Sequence, residues 1–167
     1  MAKTTVKYVK GVKRKRKGKA QMSFSLSARV KHAGSKKWDD LGVICERTVT
    51  NAAIADLVSI LQAGSATAWQ NFKFHASGTG TNGESAGDTA LQTEVETRDT
   101  GTQTSPGAGQ YQTVATHTYA GSFAIAEHGV LSASSGGILL DRSVFAAINV
   151  VAASQVEWTY TLTISGS

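Results

Sequence analysis

The stretch Glu157-Trp-Thr-Tyr-Thr-Leu-Thr-Ile164 decides the fold class. Trp158, Tyr160, Leu162 and Ile164 point one way, and Glu157, Thr159, Thr161 and Thr163 point the other. A side-chain period of two is an extended chain with one face on a core. Aromatic and β-branched residues are also the types that pack best on a pleated surface. The same alternation opens the ordered part of the chain, where Met22, Phe24, Leu26, Ala28 and Val30 oppose Ser23, Ser25, Ser27 and Arg29. Between these two ends, Asp40 to Val49, Phe72 to Ala76, Tyr111 to Tyr119 and Ser122 to Glu127 read as further strands. Leu139 to Ile148 is a less regular one. A turn is expected over His32 to Trp38, around Gly34 and Ser35. Short strands joined by Gly- and Ser-rich turns predict a mainly β protein, an antiparallel β-sandwich or partly closed barrel.

One helix interrupts the strands, over about residues 51–63. Ile54, Leu57, Val58 and Leu61 fall at i, i+3, i+4 and i+7, one stripe of a helix. Thr50 or Asn51 can cap its start, and Gly64 can end it in a left-handed turn. Further on, Asp88 or Thr89 is expected to cap a brief helical turn through Leu91 and Val95. Residues 99–110, around the single proline Pro106, are expected to form a long polar loop.

With 167 residues, the chain fits one β-rich domain, residues 21–167, behind an N-terminal arm, residues 1–20. Four Tyr, five Phe and three Trp among abundant Thr, Ser, Ala and Gly suit small-side-chain strands better than a large enzyme core. The single cysteine, Cys45, excludes a disulfide within the chain and reads as a small buried hydrophobe. After the opening Met-Ala-Lys-Thr-Thr there is no apolar run of the kind a secretory signal needs. Val144 to Ala153, the longest apolar stretch, is about half the ~20 residues of a membrane span. A soluble protein made in a cytoplasm, with no membrane partner, is expected.

Charge is divided between the ends. Residues 1–37 hold thirteen Lys and Arg and no acid, whereas residues 38–167 hold four basic residues and twelve acidic ones. Within the arm the cations are Lys3, Lys7, Lys10, Lys13, Arg14, Lys15, Arg16, Lys17 and Lys19. Repulsion among them argues against independent order, so the arm is expected to order only against a negative partner. That partner is an acidic protein surface, a neighbouring copy, an anionic membrane or nucleic acid. Only Tyr8 is interleaved as a stacking aromatic, which argues for sequence-blind, salt-dependent contact if the partner is nucleic acid.

Sites for other chemistry are weak. Gly78, Gly80 and Gly83 match a dinucleotide-binding spacing, but no βαβ unit surrounds them, and Glu84 stands where a phosphate loop needs lysine. They read as a turn requiring positive φ. No two of His32, His75, His117 and His128 have helical zinc spacing, so no metal or other cofactor is expected. The carboxylate pairs Asp39/Asp40 and Glu94/Glu96 read as solvated charge, and no nucleophile motif such as Gly-x-Ser-x-Gly is present. The sequence gives no support for an enzyme.

A set of short motifs in order carries a resemblance. It comprises Leu41-Gly-Val-Ile-Cys-Glu-Arg-Thr-Val-Thr-Asn51, Gly78-Thr-Gly-Thr-Asn82, Asp88-Thr-Ala-Leu-Gln-Thr-Glu94 with Arg98, Ala126-Glu-His-Gly129, Gly137-Ile-Leu-Leu-Asp-Arg142 and a final Thr-rich strand. Together they cover most of residues 41–165, and they resemble small structural virion proteins of tailed bacteriophages, with similarity to tail-fibre-like phage proteins as well. The resemblance implies a virion component, most simply a head decoration or cement protein on the capsid surface. It would act as a homo-oligomer, trimer favoured over dimer, with the major capsid protein of the same virus as partner. A tail fibre or host-adhesion module, and a small coat protein whose arm binds packaged nucleic acid, are the alternatives. Within the motifs, Leu91 is expected to plug the core beside the Gly-rich turn, and Asp141 or Glu94 to pair with Arg142 or Arg98.

Overall fold

The computed structural model describes residues 21–47, 49–63 and 69–165. Among the described residues, nine strands form two antiparallel sheets. The first sheet contains β1 (Gln21–Lys31), β2 (Asp39–Arg47), β5 (Thr102–Thr104), β6 (Gln110–Thr118) and β9 (Gln155–Ser165), in the order β2-β1-β9-β6-β5. The second contains β3 (Phe74–Gly78), β4 (Glu94–Thr100), β7 (Phe123–Leu131) and β8 (Leu139–Val150), in the order β4-β3-β7-β8. The sheets remain open at their edges, which selects the sandwich over the barrel.

The two strands with the clearest alternation lie side by side. Phe24 pairs with Leu162, Leu26 with Tyr160, Ala28 with Trp158 and Val30 with Val156. All eight side chains are buried, and the Phe24 and Tyr160 rings stack with centroids 5.4 Å apart. Burying each large one is worth roughly 1.5–3 kcal/mol, so this ladder fixes the register of the first sheet. Cys45 is buried in the same core.

Two strands were not expected. Residues 88–93 form bends rather than a helical turn, and β4 follows them at Glu94; β5 lies inside the expected polar loop. Leu91 is buried as expected, in a small cluster with Ala76, Leu131 and Leu139.

The helix α1 (Asn51–Ala63) has the expected bounds, and Thr50 caps it. The Thr50 hydroxyl accepts the Ala53 amide at 3.2 Å and donates to the Leu139 carbonyl at 2.6 Å, which ties the helix start to β8. Gly64 lies outside the described residues. The apolar stripe does not face the core: Ile54, Val58 and Leu61 are exposed, Leu57 is half-buried, and the packed residue is Ala53. No described helix is long and apolar enough to cross a membrane.

Candidate functional site

The nine arm cations, Lys3 to Lys19, lie outside the described residues. What the structure adds is the body from which the arm leaves. The chain enters β1 at Gln21, which pairs with Ser165 on the last rung of the β1–β9 ladder, so the arm departs from one end of the sandwich.

Three guanidinium groups of the body are held by its own carboxylates. Arg29 binds Glu157 across adjacent strands at 2.7 and 2.8 Å, beneath the Trp38 ring. Arg98 grips Glu94 through two bonds of 2.6 and 2.9 Å and also donates to the Ala133 and Gly136 carbonyls. Arg142 donates to Glu127 at 2.7 Å, Asp88 at 3.1 Å and the Asn82 carbonyl at 3.2 Å. Of the expected pairs, Glu94–Arg98 forms. Asp141 instead accepts from Ser143, and burial drives its pKa well above the usual carboxyl range.

Glu127 is the anchor of the Gly-rich segment. Its carboxylate is fully buried and accepts from the amides of Gly80 (3.0 Å), Gln92 (3.0 Å) and Thr93 (2.7 Å) as well as from Arg142. Burial alone would raise its pKa, but these donors outweigh it and hold the carboxyl below its usual range. Two glycines of the apparent dinucleotide motif serve this contact, whereas Gly83, also without the expected positive φ, has open space beside it. Gly78 and Gly80 do not have the expected positive φ; a Cβ on either would overlap the Glu127 carboxylate. The reason for glycine there is room, not conformation.

The histidines also form structural sets. His75 Nδ1 lies 3.0 Å from His128 Nε2, and His75 Nε2 lies 3.1 Å from the Thr113 hydroxyl, all inside the core. Burial lowers the His75 pKa to about 3 and pushes His128 well below its ordinary value, so both rings are neutral. Gly101 leaves the space they need, because a Cβ there would collide with Thr113 and His75. His117 is bracketed by Asp99 at Nδ1 and Glu96 at Nε2, the latter at 2.6 Å. Burial works against its charge, but the two carboxylates prevail and raise its pKa. Glu96 reaches this position from a left-handed backbone, φ 57°, at a bulge of β4, and also accepts the Ala120 amide at 2.9 Å. Glu94 and Glu96 are therefore paired rather than simply solvated. The clasp joins β4 of one sheet to β6 of the other.

The Glu127 and His117 clusters are saturated by internal bonds, whereas His128 Nδ1 and Asp141 Oδ1 are buried without a hydrogen-bond partner. Glu127 accepts four donors, and both nitrogens of His117 are engaged. Among the described residues no group of three or more His, Cys, Asp or Glu side chains is arranged to hold a metal ion. What they do chemically is fix loops and sheets. Sequence reasoning missed Glu127 as an anchor, although an acid inside the apolar run Phe123–Leu131 was the available signal. It had no signal for the Glu96–His117–Asp99 clasp. Comparison with protein-family models, with curated proteins and with solved structures gives no match.

Proposed function

We propose that this chain is a structural virion protein of a tailed bacteriophage, a head decoration or cement protein with a binding rather than a catalytic role. Its body sits on the capsid surface as a homo-oligomer, trimer favoured over dimer. Its arm runs across acidic surface of the major capsid protein of the same virus and clamps neighbouring subunits. The observation that carries this reading is the division of charge: nine cations and no acid in residues 1–20, against a body whose Arg29, Arg98 and Arg142 are held by its own acids. With those three arginines engaged internally, the arm is the densest run of cations in the chain and the part best able to attract an anionic surface. Several weakly held arms on one oligomer give high avidity without one large interface.

The test is co-sedimentation with empty capsids of the parent virus, at low and high salt, for the full chain and for a chain lacking residues 2–19. Binding that salt weakens and the deletion abolishes is the expected result. Equal binding by the truncated chain overturns the clamp. Binding to free nucleic acid or to tails, with none to empty shells, overturns the decoration role.

A further inference from the structure

A groove separates the free edges of the two sheets. β2 ends the first sheet and β8 ends the second, and neither pairs with a further strand among the described residues. The groove between them, about 570 Å³, is lined mostly by apolar side chains, among them Val30, Leu41, Ile44, Phe145 and Ile148. Leu41 is 40% exposed, and Val43 on the same strand is 55% exposed. Two register shifts in the pairing of β1 with β2 break the regularity of that edge. The groove therefore offers side-chain contact more than a template for another strand.

Acidic charge collects on the β2 wall. Five acidic residues of the body are exposed: Asp39, Asp40, Glu46, Glu94 and Glu96. Arg98 holds Glu94, and His117 holds Glu96. The other three stand on β2, the strand that gives Leu41 and Ile44 to the groove. Asp39 lies 4.0 Å from His32, and Asp40 sits across from Arg29, whose guanidinium Glu157 already binds. The hairpin cations Lys36 and Lys37 stand ahead of the start of β2, and no cation lies between Asp39 and Glu46. An apolar slot with carboxylates along one wall fits an extended segment that mixes apolar residues with lysine.

The chain carries such a segment upstream of Gln21. In Val6-Lys-Tyr-Val-Lys10 the apolar Val6, Tyr8 and Val9 alternate with Lys7 and Lys10, and all three are types that suit an extended backbone. Attraction to an anionic surface uses the cations of the arm and gives these three side chains nothing to do. Reach selects this segment. Along β1, Val30 stands nine residues beyond Gln21, about 30 Å. Tyr8 precedes Gln21 by thirteen residues, which extend to about 43 Å. Val12 precedes it by nine, about 30 Å at full stretch, with no slack to pass round the sheet edge. A segment tethered this closely meets the groove at an effective concentration that a separate peptide of the same composition lacks. Nucleic acid would be repelled by the three carboxylates. We infer that Val6 to Val9 dock in the β2–β8 groove of their own chain, placing Tyr8 and the valines against its apolar lining and Lys7 and Lys10 toward the acids of β2. The cation run Lys13–Lys17 then spans the body as a strap between Gln21 and the groove. The inference needs the arm and the body alone and does not rest on the virion reading.

The experiment is paramagnetic broadening of amide signals in the full chain, with a nitroxide attached through Thr4→Cys; Cys45 is buried and stays unlabelled. The amides of Leu41, Ile44 and Phe145 to Ile148 are expected to lose intensity. Tyr8→Asp combined with Val9→Asp leaves every body residue in place and should lower the docked population on the order of tenfold or more. Leu41→Lys, at an exposed position, should do the same from the groove side. Groove amides that keep full intensity beside the nitroxide overturn the inference. So does broadening that survives the double aspartate variant, since charge alone would then hold the arm. Broadening of an isotope-labelled chain by the nitroxide of an unlabelled one also overturns it, because the contact would then lie between copies. Capsids enter none of these outcomes, so the docked arm and the capsid clamp fail separately.

Discussion

Replacing Glu127 should be among the most damaging single changes in the body. Glu127→Ala removes one side chain and leaves four donors without their acceptor: the buried Gly80 amide and Arg142 guanidinium, and the part-buried amides of Gln92 and Thr93. Each orphaned buried donor costs about 1–3 kcal/mol. The segment carrying the three amides can move outward and hydrate them, so the sum lies near the low end. Arg142, only 5% exposed, keeps Asp88 and the Asn82 carbonyl. The expected loss is about 3–5 kcal/mol, the range for breaking a buried ion pair by removing one partner. Against a domain stability of about 5–15 kcal/mol, that is large enough to read from the urea midpoint. Glu127→Gln retains one acceptor oxygen and should cost about 2 kcal/mol. The double change Glu127→Leu with Arg142→Met removes both charges and should be less harmful than Glu127→Ala alone. Amide exchange adds a local readout, because protection at Gly80, Gln92 and Thr93 should fall first. If Glu127→Ala and Glu127→Gln both unfold within about 1 kcal/mol of the native chain, Glu127 is not the anchor.

Two further predictions concern pH, and they have opposite signs. His117 has a raised pKa in the folded chain, so the stability it supplies is complete below about 6.5 and is lost as pH rises through the folded value. Urea midpoints between pH 6 and pH 9 should therefore decline more in the native chain than in His117→Gln; parallel profiles would refute the clasp. His75 has a folded pKa of about 3, so its contribution is present above about 6.5 and is lost as pH falls toward that value. His75→Asn should flatten the acid limb by up to about 1.4 kcal/mol per pH unit, and an unchanged slope would show that the pair is not buried neutral.

How much of this the sequence disclosed depended on contrast between faces. β1 and β9 were legible because each alternates apolar with Ser or Thr residues, and the fold buries the apolar set apart from the half-buried Met22 and the exposed Ile164 at the strand ends. β4 was not, because Glu94-Val-Glu-Thr-Arg-Asp-Thr100 is an edge strand with mostly polar side chains, and the bulge at Glu96 breaks its period. β5, with three residues, is too short to show a period. The bounds of α1 followed from its cap and spacing, but periodicity says which residues share a face, not what that face meets. The Glu127 anchor was hidden for another reason. Its backbone donors stand 34 to 47 positions away in the chain, and only the pairing of β3 with β7 brings Gly78 beside it.

The division of labour in the proposed function follows from where charge is absent as much as from where it is present. The outer face of the first sheet is mostly Ser and Thr, with Ser25 opposite Thr161 and Ser27 opposite Thr159. Its Arg29–Glu157 ion pair closes on itself. α1 carries a single charged residue, Asp56. Electrostatic attraction from the arm is long-ranged and weakened by salt, whereas an apolar contact between copies is short-ranged and nearly indifferent to it. If the two surfaces act as separate parts, changes to each should combine additively in free energy, as distant sites do. Avidity makes a further demand: a variant that becomes monomeric keeps its arm but presents it singly. Its capsid binding should fall well below that of the oligomer although no arm residue has changed.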